Sequence, residues 1–283
     1  NIIKKRLKTL ENDNSFSGIS LLLNEINTSF DYSELINVER IYLPLKVFTK
    51  KENFDIINTL TSKADLYIYM PTVIKDNYRN IIYNSLDKFI NEFNIKGIVV
   101  SNISSIYSLK KYLGKINLIG NYTLNIFNKT SINLLSKYGL KMVTLSPELD
   151  KNALINLCRN SSLPTELMVY GRLPIMNMGY CPLGKSNKCY PRCSALCNTN
   201  QKFYLQDRLG YKFRVVPDKM QTVTTIYNSK ITSFNFNDIN PSSIRISILD
   251  ENISEINNII SSIRLGKSFT GNEYTNGNLN KLV

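Results

Sequence analysis

Short apolar runs alternate with longer amphipathic stretches along most of the chain. The runs are apolar at nearly every position, as in strands buried on both faces, whereas the longer stretches repeat apolar residues every three or four positions, as helices do. The pattern predicts eight strands, at residues 18–23, 41–45, 65–69, 97–101, 116–120, 141–145, 165–170 and 243–249. It predicts helices between them at residues 51–61, 76–93, 103–113, 130–138, 150–160 and 254–264, with Ser254 as the N-cap of the last.

The segment from residue 65 to residue 93 shows the unit that repeats. An apolar run ends at Pro71, and the following stretch places Ile82, Leu86 and Phe89 on one helical face. Eight such units predict an α/β fold of the (β/α)₈ TIM-like barrel type, whose sites lie at the C-terminal ends of the strands. A doubly wound open sheet is the alternative. Neither GxGxxG nor GxxxxGK[ST] occurs at the end of a predicted strand, so nucleotide-binding folds lack their main support.

The regular alternation stops between the seventh and eighth predicted strands. This interval, at about residues 171–240, is far longer than a crossover needs and holds four of the five cysteines. Residues 203–205 and 212–216 flank Arg208-Leu209-Gly210, which indicates a β-hairpin. We therefore expect one barrel domain over residues 1–283 with a cysteine-rich β-hairpin insertion between its seventh and eighth strands.

The four clustered cysteines are Cys181, Cys189, Cys193 and Cys197, in the spacing C-x7-C-x3-C-x3-C. Neighbouring lysine and arginine side chains favour their thiolate forms, which are the forms that bind metal. Three interpretations compete: disulfides, a structural Cys₄ zinc site, and a four-thiolate iron–sulfur cluster. Disulfides are disfavoured in a reducing compartment, and zinc sites favour close C-x2-C pairs, so the spacing favours the cluster somewhat over zinc. The fifth cysteine, Cys158, is expected to be a small buried apolar residue.

The amino-acid composition excludes several kinds of catalytic and metal site. The chain has 283 residues and no histidine, which excludes Ser-His-Asp and Cys-His catalysis and zinc held by histidine. Its net charge of +13 is compatible with an RNA partner, but codon bias of an AT-rich genome explains it nearly as well. No apolar stretch is long enough to cross a membrane, and no leader precedes the first strand, so we expect a cytoplasmic fragment of a longer protein.

Several other side chains are candidates for the site. Glu148 and Glu166 fall at or near strand ends, where a carboxylate could orient a substrate or act as a base. Arg172, just after the seventh strand, is placed to bind an anion. Asp207 and Arg208 are expected to tie the hairpin turn together, with Arg208 as an alternative anion ligand. Tyr170 and Tyr180 could stack on a base, although tyrosines more often pack in a core. Met168, Met176 and Met178 are expected to be packing residues around the insertion.

Several motifs, in order, resemble the signature of the collagenase-like peptidase U32 family. They are Tyr170-Gly171-Arg172-Leu173-Pro174-Ile175-Met176, Tyr180-Cys181, the C-x3-C-x3-C run, and Tyr204-Leu205-Gln206-Asp207-Arg208-Leu209-Gly210. Ile226-Tyr227-Asn228-Ser229 resembles the family's I-x-N-S step, and Ser146-Pro147-Glu148-Leu149 and Thr270-Gly271 resemble two further motifs. The resemblance runs from about residue 124 to residue 277. The chain resembles the later part of a long family member, and such long members resemble the ribosomal RNA hydroxylation branch.

The resemblance implies two functions. The first is RNA base hydroxylation of the oxygen-independent type, with ribosomal or transfer RNA as a partner. It implies a 4Fe–4S cluster on Cys181, Cys189, Cys193 and Cys197, and the N-terminal domain of the same long protein is a further expected partner. The second is a collagenase-like peptidase. A third hypothesis, which we draw from the expectation that the chain is a fragment, is a non-catalytic barrel whose cluster or zinc site holds the fold.

Three positions depart from the family pattern. Thr222 stands where many members have a further cysteine, and Tyr170 and Asn272 stand where histidines are frequent. Any chemistry that depends on those histidines is therefore not available to this chain in the same form.

Overall fold

Eight parallel strands close into a barrel in the computed structural model, which describes residues 16–186, 189, 202–218 and 220–280. The strands of the described residues are β1 (Gly18–Leu23), β2 (Arg40–Pro44), β3 (Asp65–Tyr69), β4 (Gly97–Val100), β5 (Asn117–Gly120), β6 (Met142–Thr144), β7 (Thr165–Gly171), β8 (Pro174–Met178), β9 (Phe203–Gln206), β10 (Lys212–Asp218), β11 (Val223–Tyr227), β12 (Ile231–Ser233), β13 (Ser243–Ile248) and β14 (Tyr274–Thr275). Strands β1 to β7 pair in sequence order, and β13 pairs in parallel with both β7 and β1. The predicted (β/α)₈ barrel is confirmed, and the open-sheet alternative is wrong because β13 closes the sheet on itself.

Helices connect most of the barrel strands on the outside. They are α1 (Leu45–Phe48), α2 (Phe54–Thr61), α3 (Asp76–Glu92), α4 (Ile103–Ser108), α5 (Lys129–Lys137), α6 (Lys151–Asn160), α7 (Pro182–Ser186) and α8 (Ile253–Arg264), together with short 3₁₀ turns such as Tyr122–Leu124. Within the described ranges, no helix combines the length and the apolar character that crossing a bilayer requires.

The N-terminus of α8 differs from the prediction. Asn252, not Ser254, is the N-cap: its side chain accepts a hydrogen bond from the backbone N–H of Glu255, and the Glu255 carboxylate accepts one from the backbone N–H of Asn252. This reciprocal arrangement is a capping box. The helix therefore begins one residue earlier than the apolar period alone indicates.

Apolar side chains form two main cores because the barrel strands are buried on both faces. One cluster fills the inside of the barrel with residues from the six strands β1 to β6, namely Leu22, Tyr42, Tyr67, Val99, Ile119 and Met142. The larger cluster lies between the strands and the surrounding helices. Side chains alternate between these two cores along each strand, which is why the strands read as almost continuous apolar runs.

A second, antiparallel sheet lies between β7 and β13 in the sequence. Its strand order is β8-β11-β10-β9, and we call it the roof sheet. The chain leaves β7 at Gly171, whose φ of +129° and whose closeness to the backbone of Ser247 leave no room for a side chain. The β9–β10 turn is held by the Asp207 carboxylate, which accepts hydrogen bonds from the backbone N–H groups of Leu209 and Tyr211. The roof sheet brings the residues that follow β7 towards the C-terminal end of the barrel.

Candidate active site at the barrel mouth

Charged side chains meet inside the barrel, well below its mouth. Arg245 of β13 and Glu166 of β7 are both fully buried, and Arg245 Nη2 lies 2.6 Å from Glu166 Oε2. The Glu166 carboxylate also accepts hydrogen bonds from Tyr42 and Thr144, each at 2.9 Å. Arg245 donates further to Asn121 Oδ1 at 2.7 Å. Every strong donor and acceptor around this ion pair is therefore matched, which is the condition for a buried pair to be tolerated.

The ion pair fixes the ionisation of its members. Burial is the largest single effect and would raise the pKa of the Glu166 carboxyl, but the guanidinium groups of Arg245 and Arg40 and the hydrogen bonds from Ser20 and Thr144 together hold that pKa below its usual value. Burial and the neighbouring Glu166 carboxylate raise the pKa of the Tyr42 hydroxyl far above its usual value. Glu166 is thus a charged carboxylate in the barrel core at neutral pH. Its position near the N-terminal end of β7 keeps it from the barrel mouth, where we expected it to face.

A cavity of about 180 Å³ lies at the mouth itself, where the C-terminal ends of the barrel strands face the roof sheet. Three tyrosines line it: Tyr69 from the end of β3, Tyr122 from the turn after β5, and Tyr227 from the roof strand β11. The Tyr69 hydroxyl accepts a hydrogen bond from Asn121 at 2.6 Å, and the Tyr227 hydroxyl donates one to Asn24 at 3.2 Å.

The cavity wall is mainly apolar, with neutral hydrogen-bonding groups and almost no formal charge. Burial raises the pKa of the hydroxyls of Tyr69, Tyr122 and Tyr227, so all three remain neutral phenols at physiological pH. Only Lys46 and Asp218 among the lining residues carry a charge. Lys46 lies 3.4 Å from Glu25, and Asp218 accepts backbone hydrogen bonds from Met220 and Gln221. Aromatic faces and neutral hydrogen-bonding groups suit an uncharged planar ligand.

A larger groove of about 520 Å³ adjoins the cavity. The two share Lys46, Asp218 and Met220 in their walls. An elongated ligand can therefore lie in the groove while one of its groups enters the cavity.

The cysteine segment, residues 181–197, begins beside the cavity. Asn177 of β8 lines the cavity, and Cys181 follows four residues later. A Cβ placed on Gly184 would lie 3.6 Å from the Cβ of Cys189 and 3.8 Å from that of Cys181. The side chains of Cys181 and Cys189 therefore both begin within 4 Å of one point beside Gly184. Cys193 and Cys197, the other two predicted ligands, lie outside the described residues.

The two described cysteines fit the start of a four-thiolate site. Thiolates are ligands for both iron–sulfur clusters and zinc, and the two cysteines lie close to the same small residue, Gly184. Within the described parts of the chain no three potential metal ligands come together, as is expected when two of the four cysteines lie outside those parts. Of the predicted ligands, Cys181 and Cys189 thus lie near each other beside Gly184.

The same segment contains the sequence pattern of a phosphate-binding loop, although no predicted strand precedes it. Gly179-Tyr180-Cys181-Pro182-Leu183-Gly184-Lys185-Ser186 matches GxxxxGK[ST] and follows β8, a strand that the periodicity does not predict. A phosphate-binding loop needs free backbone N–H groups ahead of a helix in a parallel βα unit. Here Pro182 has no N–H, that of Gly184 donates to the carbonyl of Cys181, and β8 is antiparallel to β11. The local geometry is therefore not that of a phosphate-binding loop.

The remaining predicted site residues are distributed around the mouth. Arg172 is half-buried, and its Nη1 donates to the backbone carbonyls of Asn228 and Ser229, so it fastens β8 to the turn after β11. Arg208 is exposed at the β9–β10 turn. Asp207 pairs with backbone N–H groups there, and no Asp207–Arg208 ion pair occurs in the described part of the chain. Glu148 is exposed, and Asp150 is the N-cap of α6 instead.

The candidate packing residues are divided between core and surface. Tyr170 is 3 % exposed and packs edge-on against Phe269, whereas Tyr180 is 61 % exposed. Met168 is buried and lines the cavity, while Met176 is exposed on the roof sheet. Cys158 is half-buried against the outer core, where burial raises the pKa of its thiol. Tyr180 is thus the only one of the two proposed stacking tyrosines that a ligand can reach.

The closed parallel barrel, its mouth cavity and the sheet over that mouth define a (β/α)₈ protein with its candidate site at the C-terminal face of the barrel. The profile of peptidase family U32 matches residues 44–255, which is well over half of the chain. The chain therefore belongs to peptidase family U32.

Solved structures support the fold. The structure described as "The Structure of the U32 Peptidase Mk0906" aligns with a TM-score of 0.51 over 83 % of this chain and 94 % of that chain. At 10 % sequence identity this similarity concerns the fold alone. No curated protein sequence matches the chain.

Proposed function

We propose that this chain is an iron–sulfur-cluster-bearing U32 protein that acts in oxygen-independent hydroxylation of an RNA base. The observation that carries the proposal is the closeness of Cys181 and Cys189 to Gly184, in a segment that starts four residues after Asn177, whose side chain lines the mouth cavity. Cys193 and Cys197 complete the ligand set. When bound, the 4Fe–4S cluster supplies electron transfer next to the cavity. A cytoplasmic location, where thiols stay reduced, is part of the proposal.

The cavity agrees with a base as the reacting group. Its volume equals that of about six water molecules, which suits one small ring rather than a peptide segment. The neutral hydroxyls of Tyr69, Tyr122 and Tyr227 offer hydrogen bonds without a formal charge, and their rings offer stacking faces. A base in RNA has to leave its stack to enter such a cavity, and the adjoining groove has room for its flanking chain.

Peptide hydrolysis has less support from the site. The Glu166 carboxylate inside the barrel is buried and paired with Arg245, and the chain has no histidine to activate a nucleophile. The peptidase and the non-catalytic metal-stabilised barrel are therefore treated as outcomes of the test.

The cofactor test is anaerobic purification followed by iron, sulfide and zinc analysis and a visible spectrum. We expect about four irons and four sulfides per chain, a large loss of both in the Cys181→Ser and Cys189→Ser variants, and no loss in the control Cys158→Ser. Stoichiometric zinc without sulfide would refute the cluster and favour the metal-stabilised barrel.

The substrate test compares nucleoside mass profiles of ribosomal and transfer RNA from a deletion strain complemented with the unaltered chain or with Cys181→Ser. A hydroxylated base that returns only with the unaltered chain supports the proposal. Identical profiles in all strains, together with gelatin or casein turnover by the pure protein, would replace it with the peptidase.

A further inference from the structure

The loop after β3 is fastened to the roof sheet through a fully buried amide. Gln221 accepts a hydrogen bond from the backbone N–H of Lys75 at 3.1 Å and donates to the carbonyl of Val73 at 3.3 Å. Buried side-chain amides that bond to backbone at both ends hold two segments in fixed register. The backbone of Lys75 is therefore fixed relative to the turn between β10 and β11. Strand β11 pairs with β8, which is the strand that precedes the cysteine segment.

The side chain of Lys75 reaches the same place with an ammonium group surrounded by neutral oxygens. Its Nζ donates to the carbonyl of Gly179 at 3.0 Å, to Thr222 Oγ1 at 3.1 Å and to the carbonyl of Thr222 at 3.4 Å. The side chain is half-buried, and no carboxylate of the described residues forms an ion pair with it. A partly desolvated cation in such a setting is favoured by a nearby anion.

The backbone around this ammonium is strained. Thr222 has a φ of +54°, a left-handed conformation that is unfavourable for a β-branched residue. In this conformation both its hydroxyl and its carbonyl contact the Lys75 ammonium. Strain of this kind persists only where the surrounding structure enforces it, and it is concentrated at functional sites.

The anion that this cation fits is the proposed cluster. Gly179 lies two residues before Cys181, a chain distance of at most about 7 Å. Four thiolates carry more negative charge than the iron core carries positive charge, so the cluster is anionic and becomes more so on reduction. We propose that Lys75 is an electrostatic positioning residue, a fixed cation that favours the reduced form of the cluster and so raises its reduction potential. This inference rests on the proposed function.

The test replaces the charge while keeping a hydrogen-bond donor. Lys75→Gln removes the charge, Lys75→Arg keeps it, and Lys88→Gln removes an exposed charge from α3 as a matched control. Each anaerobically purified protein is titrated with a reductant while the cluster spectrum is followed. At fixed potential we expect about a tenfold lower reduced-to-oxidised ratio in Lys75→Gln, which is a shift of about 59 mV to more negative potential for one electron. Lys75→Arg and Lys88→Gln are expected to remain close to the unaltered protein.

The outcomes separate this inference from the proposed function. A normal cluster whose potential is the same in Lys75→Gln overturns the role of Lys75 and leaves the proposed function intact. An unaltered protein without iron and sulfide overturns both. Should Lys75→Gln lose the cluster on purification, retention of iron by Lys75→Arg supports the charge role, and loss from both variants refutes it in favour of a purely structural clamp.

Discussion

Removing Arg245 tests how the barrel core is held together. Arg245→Met leaves the Glu166 carboxylate fully buried without the cation that lies 2.6 Å away, and it also removes the donor to Asn121. Removing one partner of a buried ion pair costs about 3–5 kcal/mol of unfolding free energy. For a chain of this size that corresponds to a fall in Tm of roughly 10 °C. Thermal and urea unfolding followed by circular dichroism measure both quantities.

The double variant distinguishes charge from packing. Glu166→Gln with Arg245→Met removes both charges, so we expect it to be more stable than Arg245→Met alone, as a double-mutant cycle measures. The exposed Arg159→Met on α6 is the control and should change the free energy by less than about 0.5 kcal/mol. If the double variant is no more stable than Arg245→Met, the loss of unfolding free energy in Arg245→Met comes from altered packing and not from the unpaired charge of Glu166.

The pH dependence adds a second check with a definite sign. In the unaltered chain Arg245 holds the folded-state pKa of the Glu166 carboxyl below its unfolded value, so the stabilisation is present above the unfolded pKa and is lost as pH falls through the folded pKa. Arg245→Met removes the largest contribution that lowers this pKa, while burial, the largest single effect, remains. The folded-state pKa of Glu166 should therefore rise, so that acidification neutralises the buried carboxyl at a higher pH and removes the free-energy cost of its unpaired charge. The difference in stability between the two proteins should therefore narrow as pH is lowered from 7 towards 4. A difference that is constant over this interval would contradict the assignment of charge to Glu166.

Two further predictions concern local structure. Asn252→Ala should lower the unfolding free energy by about 1 kcal/mol because it removes the cap of α8, whereas Ser254→Ala should cost less than about 0.5 kcal/mol; equal costs in urea titrations would contradict the observed cap. Gly171→Ala should cost more than Gly114→Ala by at least about 1 kcal/mol, since a Cβ at residue 171 would lie 2.3 Å from the carbonyl oxygen of Ser247, while one at residue 114 meets open space. Both glycines have positive φ, so Gly114→Ala controls for backbone strain.

The barrel could be predicted from the sequence because its strands are buried on both faces. Every barrel strand was located within one or two residues of its observed bounds, since continuous apolar runs such as that of β3 have no competing interpretation in a regular βαβ pattern. The roof strand β8 was missed because its residues are mostly exposed and follow no clear period. The N-cap of α8 was misplaced because a capping box lies outside the apolar repeat.

The polar core was harder to predict for a physical reason. Arg40 begins β2, Glu166 is the second residue of β7 and Arg245 lies within β13, and charged residues at such buried positions need partners inside the protein. Which of them pair depends on the closed geometry that brings β7 beside β13, and sequence separation does not reveal it. The cavity tyrosines come from three distant segments, so only the folded arrangement identifies them as one site.

The position of β13 has a consequence for how this protein is made. The strand that pairs with both β7 and β1 is synthesised some 70 residues after β7, so at ribosomal rates roughly 4–14 s pass before it can join. During that time the nascent chain carries two unpaired apolar strand edges, β1 and β7, which are templates for pairing with other chains. The nascent chain is therefore prone to aggregation while the residues between the seventh and eighth barrel strands are being synthesised. Slower translation of residues 171–243 should lower the yield of native protein.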